Sequence, residues 1–166
     1  VLRQLGVDVK NIYWDSSKII KIKKNHPSMT DGVIKQVPQI LERPILVMRS
    51  LTNSSRMTLF GEVYDSNGTP VLAVLELNAK DRKGTSLNVI KIASAYGKDS
   101  NLQGFINRSQ ILYIDPDKER TRSWFVVNRL QLPLLSTNYG FVNSSLSQNQ
   151  SSVNNSAPNN DDKKKK

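Results

Sequence analysis

Residues 57–78 read MTLFGEVYDSNGTPVLAVLELN, and this stretch decides the fold class. Two runs rich in branched and aromatic residues, Met57–Tyr64 and Val71–Asn78, flank Asp65-Ser66-Asn67-Gly68-Thr69. An Asn-Gly pair between such runs predicts a β-hairpin, because both residues tolerate the positive φ angles that a tight turn demands. Working outward, Ile45–Ser50 predicts a short strand before the hairpin and Leu87–Tyr96 a fourth strand after it, with Ile111–Ile114 as a possible fifth. Further upstream the pattern is helical. Asp15 is placed to cap SSKIIKIKKN, in which Ile19, Ile20 and Ile22 form an apolar stripe while Lys18, Lys21 and Lys24 share another face. Pro27 ends that helix, leaving His26 at its C-terminus. Thr30 caps a second helix carrying Val33, Ile34 and Val37, which Pro38 is expected to break, with a short third turn running to Leu41. Leu102, Phe105 and Ile106 fit a short helix, and Asp117–Phe125 another after Pro116. There is no internal repeat. Helices followed by an antiparallel meander make an α+β fold: N-terminal helices packed on a four-stranded, or five-stranded, antiparallel sheet.

The 166 residues carry 24 Lys and Arg against 14 Asp and Glu, a net charge of +10, with no cysteine and one histidine. This excludes disulfides, iron–sulfur clusters, thiol catalysis and Cys-based zinc sites, and argues against a His-rich metal centre. Neither a metal nor a cofactor is expected. No apolar run approaches the length of a membrane span, so no membrane partner is expected. The chain opens at Val1 rather than Met, and reads as part of a longer polypeptide. Residues 143–166 are rich in Ser, Asn and Gln and end in Lys163–Lys166. Such a stretch has too little apolar surface to offset the entropy of ordering, so the expected division is a folded body over 1–142 and a disordered tail over 143–166. The lysine run fits a polyanion-binding end as well as a solubilising one. Without the tail the body keeps 20 basic and 12 acidic residues, a balance that favours anionic partners such as nucleic acid or an acidic protein.

The sequence has no phosphate-binding glycine loop, no HExxH, no GxSxG and no paired-carboxylate signature. The inventory that remains, one His with Lys, Arg, Tyr and alcohols, suits RNA cleavage through the substrate's own 2′-OH. There the protein supplies only proton transfer and stabilisation of the charged phosphorane. His26 is the first candidate. Imidazole titrates near neutrality, and a helix C-terminus favours imidazolium, although Lys23 and Lys24 oppose it. The bland reading is an exposed, helix-capping histidine. Along LNVIKIASAY, alternation places Asn88, Ile90, Ile92, Ser94 and Tyr96 on one face, with Lys91 on the other. Ser94 and Tyr96 then continue the core face to the strand end, where they either hold a phosphate or simply close the rim of the sheet. Arg49 and Ser50, with Thr52 close by, end the first strand in a similar way, and Arg49 is either a phosphate clamp or a surface ion pair. Tyr113, Trp124 and Phe125 either stack on bases or belong to the core.

In their order and spacing, NHPSMTDGVIKQVPQILERPILVMRS, MTLFGEVYDSNGTPVLAVLEL, LNVIKIASAYGK, ILYIDPDK and LQLP resemble the phage MuF C-terminal domain, a group related to barnase/EndoU/colicin/RelE-like nucleases. The resemblance covers Leu5–Pro133. It implies a barnase-like or RelE-like fold and a metal-independent ribonuclease, the toxin module of a phage or mobile-element protein. Carried over residue by residue, it marks His26, Ser50, Ser94 and Tyr96, with Gln131 a lesser match; chemistry adds Arg49, Lys91, Lys98 and Thr52. The expected roles are His26 as acid or base, Ser94 and Tyr96 on the scissile phosphate, and Arg49 or a lysine on the developing charge. The implied partners are RNA and an acidic immunity protein, and the implied place of action is the bacterial cytoplasm of a target or host cell, or the virion before delivery. Two alternatives stand beside this reading. One is a non-catalytic basic nucleic-acid or protein-binding module of a phage head protein. The other is an ADP-ribosyltransferase-like toxin, against which the scattered Glu42, Glu62, Glu76 and Glu119 count.

Overall fold

The hairpin forms where the Asn-Gly pair places it, although only Gly68 of the pair takes a positive φ. Asp65 Oδ1 accepts the backbone N–H groups of Asn67 and Thr69, each at 2.9 Å, and Gly68 takes φ +75°, so the loop is closed by its own side chain. The computed structural model describes residues 1–7, 11–81, 83–133 and 140–141. Within them the elements are β1 (Asn11–Tyr13), α1 (Ser16–Asn25), α2 (Asp31–Glu42), β2 (Leu46–Arg49), β3 (Arg56–Tyr64), β4 (Pro70–Glu76), β5 (Val89–Gly97), α3 (Leu102–Arg108), β6 (Gln110–Ile114), α4 (Lys118–Val127) and β7 (Gly140–Phe141). The expected tail over 143–166 lies outside the described residues.

The strands form one sheet in the order β1-β5-β4-β3-β2-β6-β7. The fold is α+β, but the sheet differs from the expected four-stranded or five-stranded antiparallel one. β1 pairs in parallel with β5, Ile12 opposite Ile90, and β7 pairs with β6 at the other edge, so the sheet is mixed and has seven strands. The helices also divide between its faces. Ile22 of α1 and Val33, Ile34, Val37, Ile40 and Leu41 of α2 pack with Val47, Leu59, Val71, Ala73 and Ile90 on one side. Leu102 and Ile106 of α3 and Trp124 and Phe125 of α4 pack with Leu46, Met48, Phe60 and Leu72 on the other. Both faces of the central strands are therefore covered, which explains why LVMR and PVLAVLE read as near-continuous apolar runs rather than alternating ones.

Two local expectations are corrected. Pro38 does not break α2, which runs unbroken to Glu42. Proline inside a helix costs about 3 kcal/mol, but Val37 and Ile40 are fully buried and Leu41 nearly so. Burial of that size contributes about 1.5–3 kcal/mol per side chain and outweighs the penalty. Along β5 the register against β4 shifts between Ser94 and Ile92, so Ala93 is a bulge. A bulge adds one residue and reverses the alternation. Ile90 and Ile92 face the α1–α2 layer, whereas Tyr96, and Ser94 with it, face the α3–α4 layer, where Tyr96 packs.

Trp124 and Phe125 are 2% and 1% exposed and Tyr113 is 8% exposed, so none of them is a base-stacking surface. The Trp124 indole donates to Gly61 O at 2.9 Å. Arg120 fastens α4 to the sheet. It donates to Glu62 Oε2 at 2.8 Å, to Arg43 O at 2.8 Å and to Asp115 Oδ2. Burial disfavours its charge, but Glu62 and Asp115 outweigh that and hold the guanidinium protonated.

Candidate functional site

At one end of the sheet three connections meet: the α1–α2 loop, the β3–β4 turn and the segment following β5. Asp15 caps α1 by accepting the Ser17 N–H at 2.8 Å, and the helix stops at His26, whose N–H bonds Ile22 O at 2.8 Å. The fully buried Met29, whose N–H bonds His26 O at 2.9 Å, anchors the loop beyond. The Ser66 N–H reaches Ser28 O at 3.1 Å, fastening the hairpin tip to that loop, and the Lys98 N–H bonds Pro70 O at 3.0 Å, carrying the β4–β5 pairing past Gly97. Gly97 permits the closest approach. A Cβ at this position would lie 2.2 Å from Asp65 Oδ2, so only glycine lets the hairpin carboxylate rest against the end of β5.

These segments enclose an open pocket of about 390 Å³, and among its lining are His26, Asp65, Thr69, Tyr96, Lys98 and Asp99. The His26 and Tyr96 rings are stacked, with centroids 4.9 Å apart and planes 11° from parallel. Both residues are half-buried, and the His26 ring makes no hydrogen bond or ion pair among the described residues. Burial raises the Tyr96 phenol above its ordinary value, so it remains a proton donor at neutral pH. Lys98 Nζ is held at 2.6 Å from Ser100 O, 5.8 Å from the Phe105 ring centre. One pocket thus holds an imidazole ring stacked on a phenol that keeps its proton, and a fixed ammonium.

The other sequence candidates lie elsewhere. Through the registers Tyr96–Leu72, Leu72–Phe60 and Phe60–Leu46, Tyr96 is level with Leu46, three residues before Arg49. At ordinary strand dimensions Arg49 is then about 10 Å along and about 14 Å across the sheet from Tyr96. One phosphate cannot touch both. Arg49 Nε donates to Gln110 Oε1 at 3.1 Å, and Ser50 Oγ lies 3.4 Å from Thr52 Oγ1 at the same end. Lys91 is also at that end, opposite Glu76, with Nζ 3.4 Å from Lys80 O. Ser94 is two residues from Tyr96 on its face of β5 but does not line the pocket. Gln131 donates its backbone N–H to Gln103 Oε1 at 2.7 Å and is likewise absent from the lining. The structure therefore brings together His26, Tyr96 and Lys98 and separates them from Arg49, Ser50, Thr52 and Lys91. Sequence reasoning missed Asp65, Thr69 and Asp99. The hairpin signal located the first two but carried no sign that the turn docks beside His26.

Among the described residues no group of three or more His, Cys, Asp or Glu is placed to hold a metal ion, and no helix is long and apolar enough to cross a membrane. Residues 18–121 match the phage MuF C-terminal domain. The chain belongs to that family. In this MuF C-terminal domain the matched span begins in α1, ends in α4 and contains all the described residues that line the His26 pocket, whereas Gln131 falls outside it. No curated protein and no solved structure matches the chain.

Proposed function

We propose that this MuF C-terminal domain is a metal-independent ribonuclease that cleaves RNA by transesterification through the 2′-OH. The observation that carries the reading is the His26–Tyr96 stack at 4.9 Å in an open pocket with Lys98. His26 takes the proton from the 2′-OH as that oxygen attacks phosphorus. Tyr96 gives its phenolic proton to the departing 5′-oxygen, and Lys98 faces the charge that builds on the phosphorane. The products are a 2′,3′-cyclic phosphate and a free 5′-OH. Stacking assists the first step, because the Tyr96 ring face stabilises the imidazolium that forms. General acid–base groups of this kind contribute about 10²–10⁴-fold each. The reading rests on the site rather than on barnase-like kinship, because the mixed sheet with helices on both faces agrees only roughly with that fold.

On this reading the domain acts on RNA in the bacterial cytoplasm as the toxin module of a phage or mobile-element protein, and its basic body suits an acidic neutralising protein. The test is incubation with total bacterial RNA in excess EDTA. Products ending in 2′,3′-cyclic phosphate, lost in His26→Ala, support the proposal. Intact RNA at protein concentrations where binding is saturated overturns it and favours a binding module.

A further inference from the structure

The pocket has two unlike sides. On one side α1 leads directly into His26, its C-terminal cap. Ser16–Asn25 contains four lysines and no acidic residue. Lys23 is paired with Asp31. Lys18, Lys21 and Lys24 are exposed and their side chains make no hydrogen bond or ion pair among the described residues, although Lys18 stands near the Asp15 carboxylate. At 1.5 Å per residue the Cα atoms of Lys24, Lys21 and Lys18 lie about 3, 7.5 and 12 Å from His26 along the helix axis, a row of exposed ammonium groups receding from the site. The rest of the lining, from the β3–β4 turn and the segment after β5, carries Asp65 and Asp99, and among the described residues no lysine or arginine other than Lys98 lines the pocket. Along α1 the pocket thus opens onto exposed lysines, whereas the other wall sets two carboxylates against the single ammonium of Lys98.

Resting on the ribonuclease reading above, we propose that the substrate is an RNA strand engaged on one side of the scissile bond only, its phosphates following Lys18, Lys21 and Lys24. A dinucleotide would fill the pocket but miss this track. Nucleotides added on the α1 side should raise kcat/KM, and nucleotides added on the Asp65–Asp99 side should not. Lysines along a flexible strand act as point charges, so the contribution is independent of sequence and falls with salt.

The test uses DNA oligonucleotides with a single ribonucleotide, each of the four in turn, flanked by one nucleotide or extended on the 5′ or the 3′ side. The expected result is a gain of about tenfold or more for one direction, a change within about twofold for the other, and loss of the gain in the Lys18→Gln/Lys21→Gln/Lys24→Gln variant. A control variant, Lys80→Gln/Lys83→Gln/Arg122→Gln, keeps it. Equal gains in both directions, or a gain that survives the α1 variant, overturn the proposal. Binding separates its failure from that of the ribonuclease reading. With His26→Ala as background, log K against log salt for a single-stranded RNA should flatten by about 2 in the α1 variant, at about 0.7 per released counterion. A slope change without any cleavage supports the track and sinks the enzyme, whereas an unchanged slope sinks the track whether or not RNA is cut.

Discussion

Gly97→Ala is a small substitution with a large expected effect. The added methyl would sit 2.2 Å from Asp65 Oδ2, 2.9 Å from its Cγ and 3.2 Å from Thr69 Cβ, so the hairpin would have to retreat by more than an ångström. The Asp65 carboxylate cannot simply turn away, because its other oxygen holds the N–H groups of Asn67 and Thr69, each at 2.9 Å. Overpacking of this kind costs about 1–3 kcal/mol, and disturbing hydrogen bonds to a charged acceptor adds to it. The φ of Gly97 lies outside the left-handed region, so alanine also gains about 0.4–1 kcal/mol by restricting the unfolded chain. The net expectation is a loss of about 1–3 kcal/mol, or roughly 3–5 °C in Tm for each kcal/mol at this chain length. Urea and thermal unfolding followed by circular dichroism measure it. A double-mutant cycle makes the argument specific, because in an Asp65→Ala background the same methyl should cost less than about 1 kcal/mol. A neutral or stabilising Gly97→Ala, or an equal cost in both backgrounds, refutes the packing described here.

Three further expectations concern other parts of the molecule. Arg120→Met removes the partner of the buried Asp115 and should destabilise by about 3–5 kcal/mol in urea unfolding, with no specific effect on the His26 pocket, which it does not line. Burial raises the Tyr96 phenol, and burial followed by the Asp115 charge raises that of Tyr113. Both should therefore ionise above the ordinary tyrosine value in tyrosinate difference absorbance, and Tyr96→Phe should delete one of the two late components. The neutral phenol is the form favoured in the folded state, so the stability it contributes is complete below about pH 10 and is lost as pH rises through the raised folded value. Tyr96→Phe should also keep the stack on His26 while lowering RNA cleavage by about 10²-fold.

The parts of the fold legible in the sequence are those with local causes. The Asn67-Gly68 turn announces the β3–β4 hairpin, and Asp15 and Pro27 bracket α1 at both ends, which is why His26 could be placed at a helix terminus. β1 was not legible, because three residues carry almost no periodicity and their partner strand lies nearly eighty residues away in parallel. The Ala93 bulge was hidden for a related reason. Alternation along LNVIKIASAY reads the same with or without an extra residue until β4 supplies the register. Pro38 misled because the local penalty is visible in sequence while the burial that offsets it is not. At the site, residue type singled out His26, Tyr96 and Lys98 but gave Arg49 and Ser50 equal standing, since which end of a strand meets which loop depends on strand order.

On the proposed reading, the chemistry belongs to the His26–Tyr96 end of the sheet and not to the Arg49 end. The most direct measurement is single-turnover RNA cleavage in excess EDTA by the unaltered domain, His26→Ala and Arg49→Ala side by side. The expected result is a loss of about 10²–10⁴-fold for His26→Ala and a change within about threefold for Arg49→Ala, whose side chain is engaged with Gln110. Undiminished cleavage by His26→Ala, or a collapse in Arg49→Ala alone, would contradict it.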